Sequence, residues 1–385
     1  MVAVVASGCG WRQVGFGPER TGYNPNESTV TAANVHTLQQ AWSATVPESP
    51  NPPAVQGNNV HITAGNTYTD LNGTDGSIYW QETITQGGLD AFLRAPAVIG
   101  DKAYVPTAAY RQGATLVFDP ATKTFTGSFS PFGSAAPAST LAVRSDITAG
   151  VSGSIIPFDV LWEVTYGSNT GFIDFTSLGG PAPSDPAIIG TRVFVGYTTY
   201  VLSYPIGTCL SAPPIPGCAP ETRRDVGSNV SMPVGVDATH VAVGTASGDV
   251  VVLNAADGTT AYSADLGTAK AQSPAVANNT IYAATEAGKL AALPTSGCTT
   301  CTPLWTADVG AAIFTQPTVA GGVVYVGAAD GKVHAFNAAG CGTATCAELW
   351  SATVDANADR IAVVVNNGRV YVTADTGTVK AYKLP

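Results

Sequence analysis

The stretch that decides the fold is residues 316–336, Gln316-Pro-Thr-Val-Ala-Gly-Gly-Val-Val-Tyr-Val-Gly-Ala-Ala-Asp-Gly-Lys-Val-His-Ala-Phe336. Residues 323–326 are β-branched or aromatic, side chains that suit the half-buried surface of a pleated strand. Asp330-Gly331 is a preferred pair for a two-residue type I′ turn, which needs φ > 0 at both central positions. Residues 332–336 then alternate polar and apolar, the period of a strand with one buried face. A hairpin of this size is marginal in water, so the unit needs neighbours.

The neighbours are copies of the unit. Pro53-Ala-Val, Pro96-Ala-Val, Pro186-Ala-Ile and Pro274-Ala-Val each lead into a Gly/Asn turn and a second apolar run. The equivalent position of that second run is held by His61, Tyr104, Phe194, Ala242, Tyr282, Tyr325 and Tyr371. Their spacing is about 40 to 48 residues, apart from one double interval of 90 between Tyr104 and Phe194. A degenerate copy therefore lies inside that interval, with residues 141–145 as its lead-in and residues 160–165 and 171–175 as later strands. Eight copies with a period in the forties predict an all-β, eight-bladed β-propeller of four-stranded antiparallel blades. Residues 41–46, Ala-Trp-Ser-Ala-Thr-Val, match the fourth strands at 349–354 and 304–309, while the last copy ends one strand short. The N-terminal strand is expected to join the C-terminal blade and close the ring, removing two open sheet edges.

The fourth strands share a large aromatic: Trp42, Trp80, Tyr262, Trp305 and Trp350. Each ring is large enough to bury about 150–250 Å², and packing between blades is the expected role. The chain divides into residues 1–10, residues 11–39 as an ordered Gly- and Pro-loaded loop segment, and residues 40–385 as the propeller.

Charged residues make up 11 % of the 385, against about 25 % in average soluble domains. The formal net charge of −10 repels a phosphate backbone and argues against nucleic-acid binding. Residues 1–9, Met-Val-Ala-Val-Val-Ala-Ser-Gly-Cys, are apolar but too short to span a bilayer. Their Ala6-Ser7-Gly8-Cys9 end resembles a bacterial lipobox, which makes Cys9 a candidate lipid-attachment residue and residues 1–10 the remnant of a signal peptide. The other six cysteines fall in three loops as Cys209 with Cys218, Cys298 with Cys301, and Cys341 with Cys346. Three local disulfides fit an exported protein. Zinc or redox use of Cys298-Thr-Thr-Cys301 is the alternative, though no helix N-terminus is expected there to lower a thiol pKa.

His36, His61, His240 and His334 are scattered, with no i, i+4 pair to hold a metal. His61 is expected as a packed strand residue; His334 could face either way. Residues 70–76, Asp-Leu-Asn-Gly-Thr-Asp-Gly, approach a calcium loop, but the spacing of oxygen ligands is wrong and a tight turn is the better account. Gly-Lys-Ser/Thr phosphate loops and Gly-x-Ser-x-Gly elbows do not occur.

The Pro-Ala-Val lead-in, the Val-Tyr-Val-Gly strand, the Asp-Gly turn, the Ala-Phe-Asn-Ala-Ala strand end and the Leu-Trp strand together resemble the pyrroloquinoline-quinone-type β-propeller repeat. Residues 11–38 look like the N-terminal signature of bacterial exported members. The resemblance implies the fold; members include quinone-dependent dehydrogenases, outer-membrane assembly lipoproteins and receptor sensor domains, so it does not fix the activity. The dehydrogenases carry a disulfide between adjacent cysteines and an axial calcium held by Glu and Asn beside an Asp base. This sequence has no Cys-Cys dipeptide, and that trio matches no motif in it. The expectation is a non-catalytic binding or scaffolding module of the bacterial cell envelope, exported and either anchored outside the membrane or secreted. Its partner would be a protein or an envelope component. No cofactor, a monomer, and membrane contact only through the lipid anchor complete the reading. The alternative is a quinone-dependent oxidoreductase or a ligand sensor domain.

Overall fold

The computed structural model describes residues 10–86, 89–90, 92–108, 114–129, 136–137, 141–144, 147–153, 159–165, 168–175, 184–206, 220–297 and 301–385. Among these residues the chain is all-β apart from one 3-10 turn, Val35–Thr37. The strands form eight sheets of four or five strands and one two-stranded ribbon. No helix among them is long and apolar enough to cross a membrane.

The repeat unit folds as its pattern requires. In residues 318–353 the strands Thr318–Ala320, Val323–Ala328, Lys332–Asn337 and Trp350–Thr353 pair in chain order, antiparallel throughout. One detail differs from the sequence expectation. Ala328 pairs with Lys332, so the loop holds three residues rather than two. Gly331 N–H donates to Ala328 O at 3.1 Å, and Gly331 alone takes a positive φ, +76°. This is a type I turn followed by a left-handed glycine, the common three-residue hairpin loop.

The lead-in strands in chain order are Ala54–Gln56, Ala97–Ile99, Ala142–Arg144, Ala187–Ile189, Val234–Gly235, Ala275–Ala277, Thr318–Ala320 and Ile361–Asn366, and the sheets are numbered one to eight after them. The third sheet is the degenerate copy. Its strands at Ala142–Arg144, Asp159–Thr165 and Ser168–Phe175 match the expected ones, while Ile147–Gly153 supplies a second strand that the sequence did not announce. In the eighth sheet Gln39–Thr45 pairs antiparallel with Thr378–Lys383, so the N-terminal strand does complete the last sheet.

The core lies between sheets rather than within one. One cluster joins Val55, Ile62 and Leu71 of the first sheet to Trp42, Val364 and Tyr371 of the eighth. Others join the sixth to the seventh and the seventh to the eighth. Each lead-in strand lies against that of the next sheet, and the strand at Ile361–Asn366 also lies against Ala54–Gln56. A sheet with one short inner strand and β-branched faces on both sides can bury them only against two neighbours.

Candidate functional site

Two kinds of contact stitch the sheets together, and the first is made by the fourth-strand aromatics. The Trp42 indole N–H donates to Gly73 O at 2.9 Å, on the loop after the third strand of the first sheet. Gly76 of that loop lies flat against the same ring; a Cβ there would sit 2.5 Å from Trp42 Cε3. Trp305 repeats the arrangement two seams earlier, donating to Ala338 O at 3.2 Å and facing Gly340. Tyr262 donates its hydroxyl to Pro294 O at 2.8 Å and faces Gly297. Trp80 meets Phe118 of the second sheet at 5.6 Å between ring centroids, and Trp350 meets Tyr382 of the eighth at 5.1 Å. All five candidate packing residues thus touch the following sheet.

The second stitch is the segment before the propeller, and its path was not legible in the sequence. Gly10–Trp11 pairs with Val55 and Gln56 on the inner edge of the first sheet. The chain then crosses from one lead-in strand to the next. Arg12 O accepts from Val98 N, Pro18 O from Ile188 N, Glu19 O from Gly235 N, Thr21 O from Val276 N and Gly22 O from Val319 N, at 2.7–2.8 Å. All five donors are the third residue of a Pro-x-x lead-in of the same repeat, Gly235 in Pro233-Val-Gly included. Tyr23–Asn24 adds a parallel strand beside Val319 and Ala320, and Asn24 Nδ2 donates to Val365 O at 2.8 Å. Lead-in strand edges that would otherwise lack a neighbour are therefore supplied with backbone partners.

Two charged side chains fix this segment. The Arg20 guanidinium is fully buried, with Nε on Pro186 O at 3.0 Å and Nη1 on Val14 O at 2.8 Å. Burial lowers its pKa to about 10, with Asp185 pulling the other way, so it stays charged at neutral pH. Glu27 accepts from the amides of Thr29 and Val30 through one oxygen and from Gly368 through the other. These bonds tie residues 27–30 to the eighth sheet.

His61 and His334 acquire carboxylate partners in the fold. His61 is buried, as expected of a packed strand residue, with Nδ1 2.8 Å from the Tyr68 hydroxyl and 3.6 Å from Asp70 Oδ1. Asp70 is wholly buried; Asn59 donates to its Oδ2 at 2.9 Å, while Oδ1 has no hydrogen-bond partner among the described residues. Burial raises the Asp70 pKa to about 7, with the Asn59 bond and Lys123 opposing, and lowers that of His61 to about 4. Asp70 is thus a cross-strand partner of His61 rather than the start of a calcium loop. His334 faces inward, between Glu348 Oε2 at 2.7 Å and Asp330 Oδ1 at 3.2 Å. Burial acts against the Asp330 carboxylate, but His334 and Lys332 hold its pKa below the ordinary value. Among the described residues no three His, Cys, Asp or Glu side chains converge as a cation site.

Cys341 and Cys346 form a disulfide, which removes them from any zinc site shared with the Cys298-Thr-Thr-Cys301 loop. Their loop lies against the fourth strand of the sixth sheet: Thr345 pairs with Thr306, and Cys346 N–H donates to Thr306 O at 2.8 Å. Cys301 is also disulfide-bonded. Cys9, Cys209, Cys218 and Cys298 lie outside the described residues.

Comparison with known proteins places this architecture. Solved structures share the fold at low identity. A computationally designed protein, Ika8, matches with a TM-score of 0.71 at 17% identity, over 90% of this chain and 99% of its own. BamB from Moraxella catarrhalis matches with a TM-score of 0.65 at 17% identity, over 90% and 97%. Quinohemoprotein alcohol dehydrogenase from Comamonas testosteroni matches with a TM-score of 0.69 at 13% identity, over 97% and 80%. No curated protein sequence matches. The family model PQQ_2, described as outer membrane protein assembly factor BamB, matches residues 26–127, 219–300, 246–340 and 299–384, and the chain therefore belongs to this family of PQQ-like β-propeller repeat proteins.

Proposed function

We propose that this protein is an exported, non-catalytic scaffold of the bacterial cell envelope, folded as a closed ring of eight blades. The ring is supported by three features: cores shared between successive sheets, the contact of the eighth lead-in strand with the first, and the pairing of the chain's two ends. The observation that carries the functional reading is the N-terminal segment. It spends its backbone groups on the inner edges of at least six sheets, so the chain's own residues occupy space at the axis where a propeller could hold a small ligand. What remains for recognition is the outer surface and the loop ends, the surfaces a protein partner reads. Membership in a family described as an outer membrane assembly factor agrees with a partner in the envelope. In this reading Cys9 carries the lipid anchor, Cys209 with Cys218 and Cys298 with Cys301 form disulfides, the protein is a monomer, and no cofactor takes part.

The runner-up is a quinone-dependent oxidoreductase, kept open by the alcohol dehydrogenase neighbours. The donor groups present do not suit that cofactor with its calcium: no acidic cluster converges among the described residues, and the Cys341–Cys346 disulfide spans four intervening residues rather than adjacent cysteines.

Cross-linking in intact cells followed by affinity capture of the full chain tests the scaffold. The expected result is recovery of one envelope protein in constant proportion. Reduction of a dye by purified protein with an alcohol or sugar, after addition of the quinone and Ca²⁺, would overturn it. Mass spectrometry of the mature N-terminus tests the anchor separately; an unmodified Cys9 in exported protein would remove it.

A further inference from the structure

We propose that one end of the propeller, the end carrying the turns between first and second strands, rests on a lipid bilayer surface. The inference deepens the envelope reading and rests on its closed ring and its Cys9 anchor. Gly10 is in register with Gln56, the last residue of the first lead-in strand, directly before the turn at Gly57 and Asn58. Cys9 is one residue upstream, within about 3.8 Å of the Gly10 Cα. Nine residues, mostly apolar, precede Gly10. A chain fixed by strand pairing this close to its anchor has no linker, so the anchor dictates which end of the ring lies against the membrane.

A second observation, independent of the cysteine, selects the same end. Strands within each sheet alternate in direction, so fourth strands begin at the end where lead-in strands finish. Among the described residues the exposed large hydrophobics are Ile78, Tyr79, Phe92, Phe125 and Leu304. Ile78 and Tyr79 open the fourth strand of the first sheet, Phe125 is second in that of the second sheet, and Leu304 directly precedes that of the sixth. Four of the five therefore sit at the anchored end. Phe92, beside Ala108 at the finish of a second strand, sits at the other. Exposed aliphatic and aromatic side chains on an otherwise polar rim suit the interfacial zone of a bilayer, where such groups gain from partial burial.

A repeated carboxylate marks the far end. Asp225, Asp265, Asp308 and Asp355 each finish or follow a fourth strand and accept a backbone N–H two residues on. They place a recurring carboxylate at the far end, which an anionic lipid surface repels. Both ends also carry cations: Lys102, Lys123 and Lys383 lie among Asp75, Asp101, Asp119, Asp237 and Asp257 at the anchored end, and Lys270, Lys289 and Lys332 lie at the far end. The Lys123 ammonium lies 4.1 Å from the Tyr79 ring centroid, a cation beside an exposed aromatic of the kind that sits at headgroup level.

Hydrogen exchange on the full-length protein tests this. The Cys9 thiol is coupled to a maleimide lipid in phosphatidylcholine–phosphatidylglycerol vesicles and compared with protein capped by N-ethylmaleimide and mixed with the same vesicles. The tether is chemical, so the result does not depend on whether cells lipidate Cys9. The expected result is severalfold slower exchange, on tethering, at residues 57–59, 77–79, 278–280 and 321–323. Residues 226–229, 266–268, 309–311 and 356–359 should be unchanged. A triple variant, Ile78→Ser with Tyr79→Ser and Leu304→Ser, should keep its fold and lose most of the slowing. Protection at the far end, or none at either end, would overturn the proposal.

Discussion

The first and sixth sheets place opposite chemistry on the same scaffold position. In the sixth, Tyr282 pairs across strands with Ala292, and its hydroxyl reaches Ala338 O on the next sheet at 3.0 Å. The seventh and eighth sheets repeat the pair as Tyr325 with Ala335 and Tyr371 with Ala381. In the first sheet the pair is His61 with Asp70, equally buried. A repeat fixes backbone register and volume; it does not fix polarity. Two ionisable groups survive at that depth because they act as one unit. Buried, the pair holds one proton between pH 4 and 6.5, on whichever group; unfolded, Asp ionised and His protonated hold one as well. Equal proton counts mean no net pH slope from the pair.

The largest effect should come from the seams, which are alike on both sides of this comparison. Gly76→Ala and Gly340→Ala each force a side chain onto an indole face at positive φ, +74° and +84°. Each should cost about 4 kcal/mol in urea unfolding, combining left-handed strain with overpacking. A large difference between them would show that the two seams are built differently.

The pH behaviour sharpens the contrast itself. Asp70 has a raised folded pKa, so its contribution is present below about pH 4 and lost as pH rises to about 7. His61 has a lowered folded pKa, so its contribution is present above about pH 6.5 and lost as pH falls to about 4. In His61→Gln, stability should fall with rising pH by up to about 1.4 kcal/mol per unit across this window. In Asp70→Asn it should fall by a similar slope in the opposite direction. Denaturant midpoints measured from pH 4 to 7 decide this; unchanged profiles in both variants would break the pairing.

A smaller loss should follow Cys341→Ser with Cys346→Ser, about 2 kcal/mol for so short a loop. Faster amide exchange in Trp305–Asp308, the edge this loop covers, should accompany it. Gly57→Ala is the smallest change, about 1 kcal/mol, because φ is +59° but nothing lies within 4 Å of the added methyl. It measures backbone strain alone and calibrates the seam variants.

The lead-in strands, the hairpins, the fourth-strand aromatics and the N-terminal strand of the eighth sheet were legible because each is local or repeated. What sequence hid was non-local or carried by the backbone. Residues 12–22 bind through carbonyl oxygens, which every residue possesses, so no side-chain pattern marks their route. Arg20 is one of several cations in polar loops, and only the fold shows it enclosed. Glu348 lies 14 residues from His334, beyond any short motif. Ile147–Gly153 carries three small residues in its last four, which blurs the apolar alternation expected of a strand. Asp330-Gly331 suits both two- and three-residue loops, and only the pairing of Ala328 with Lys332 decides between them.

The pairing of the two termini sets the order of assembly. Tyr23 needs Val319, Asn24 needs Val365, and Gln39 needs Lys383. Residues 23–39 must wait about 300 residues for their binding sites to be synthesised. Middle sheets can pair as they appear, but the final cooperative step awaits the last strand. Such a chain stays unlocked until residues 378–383 have been made, so its rigidity arrives late and in one step.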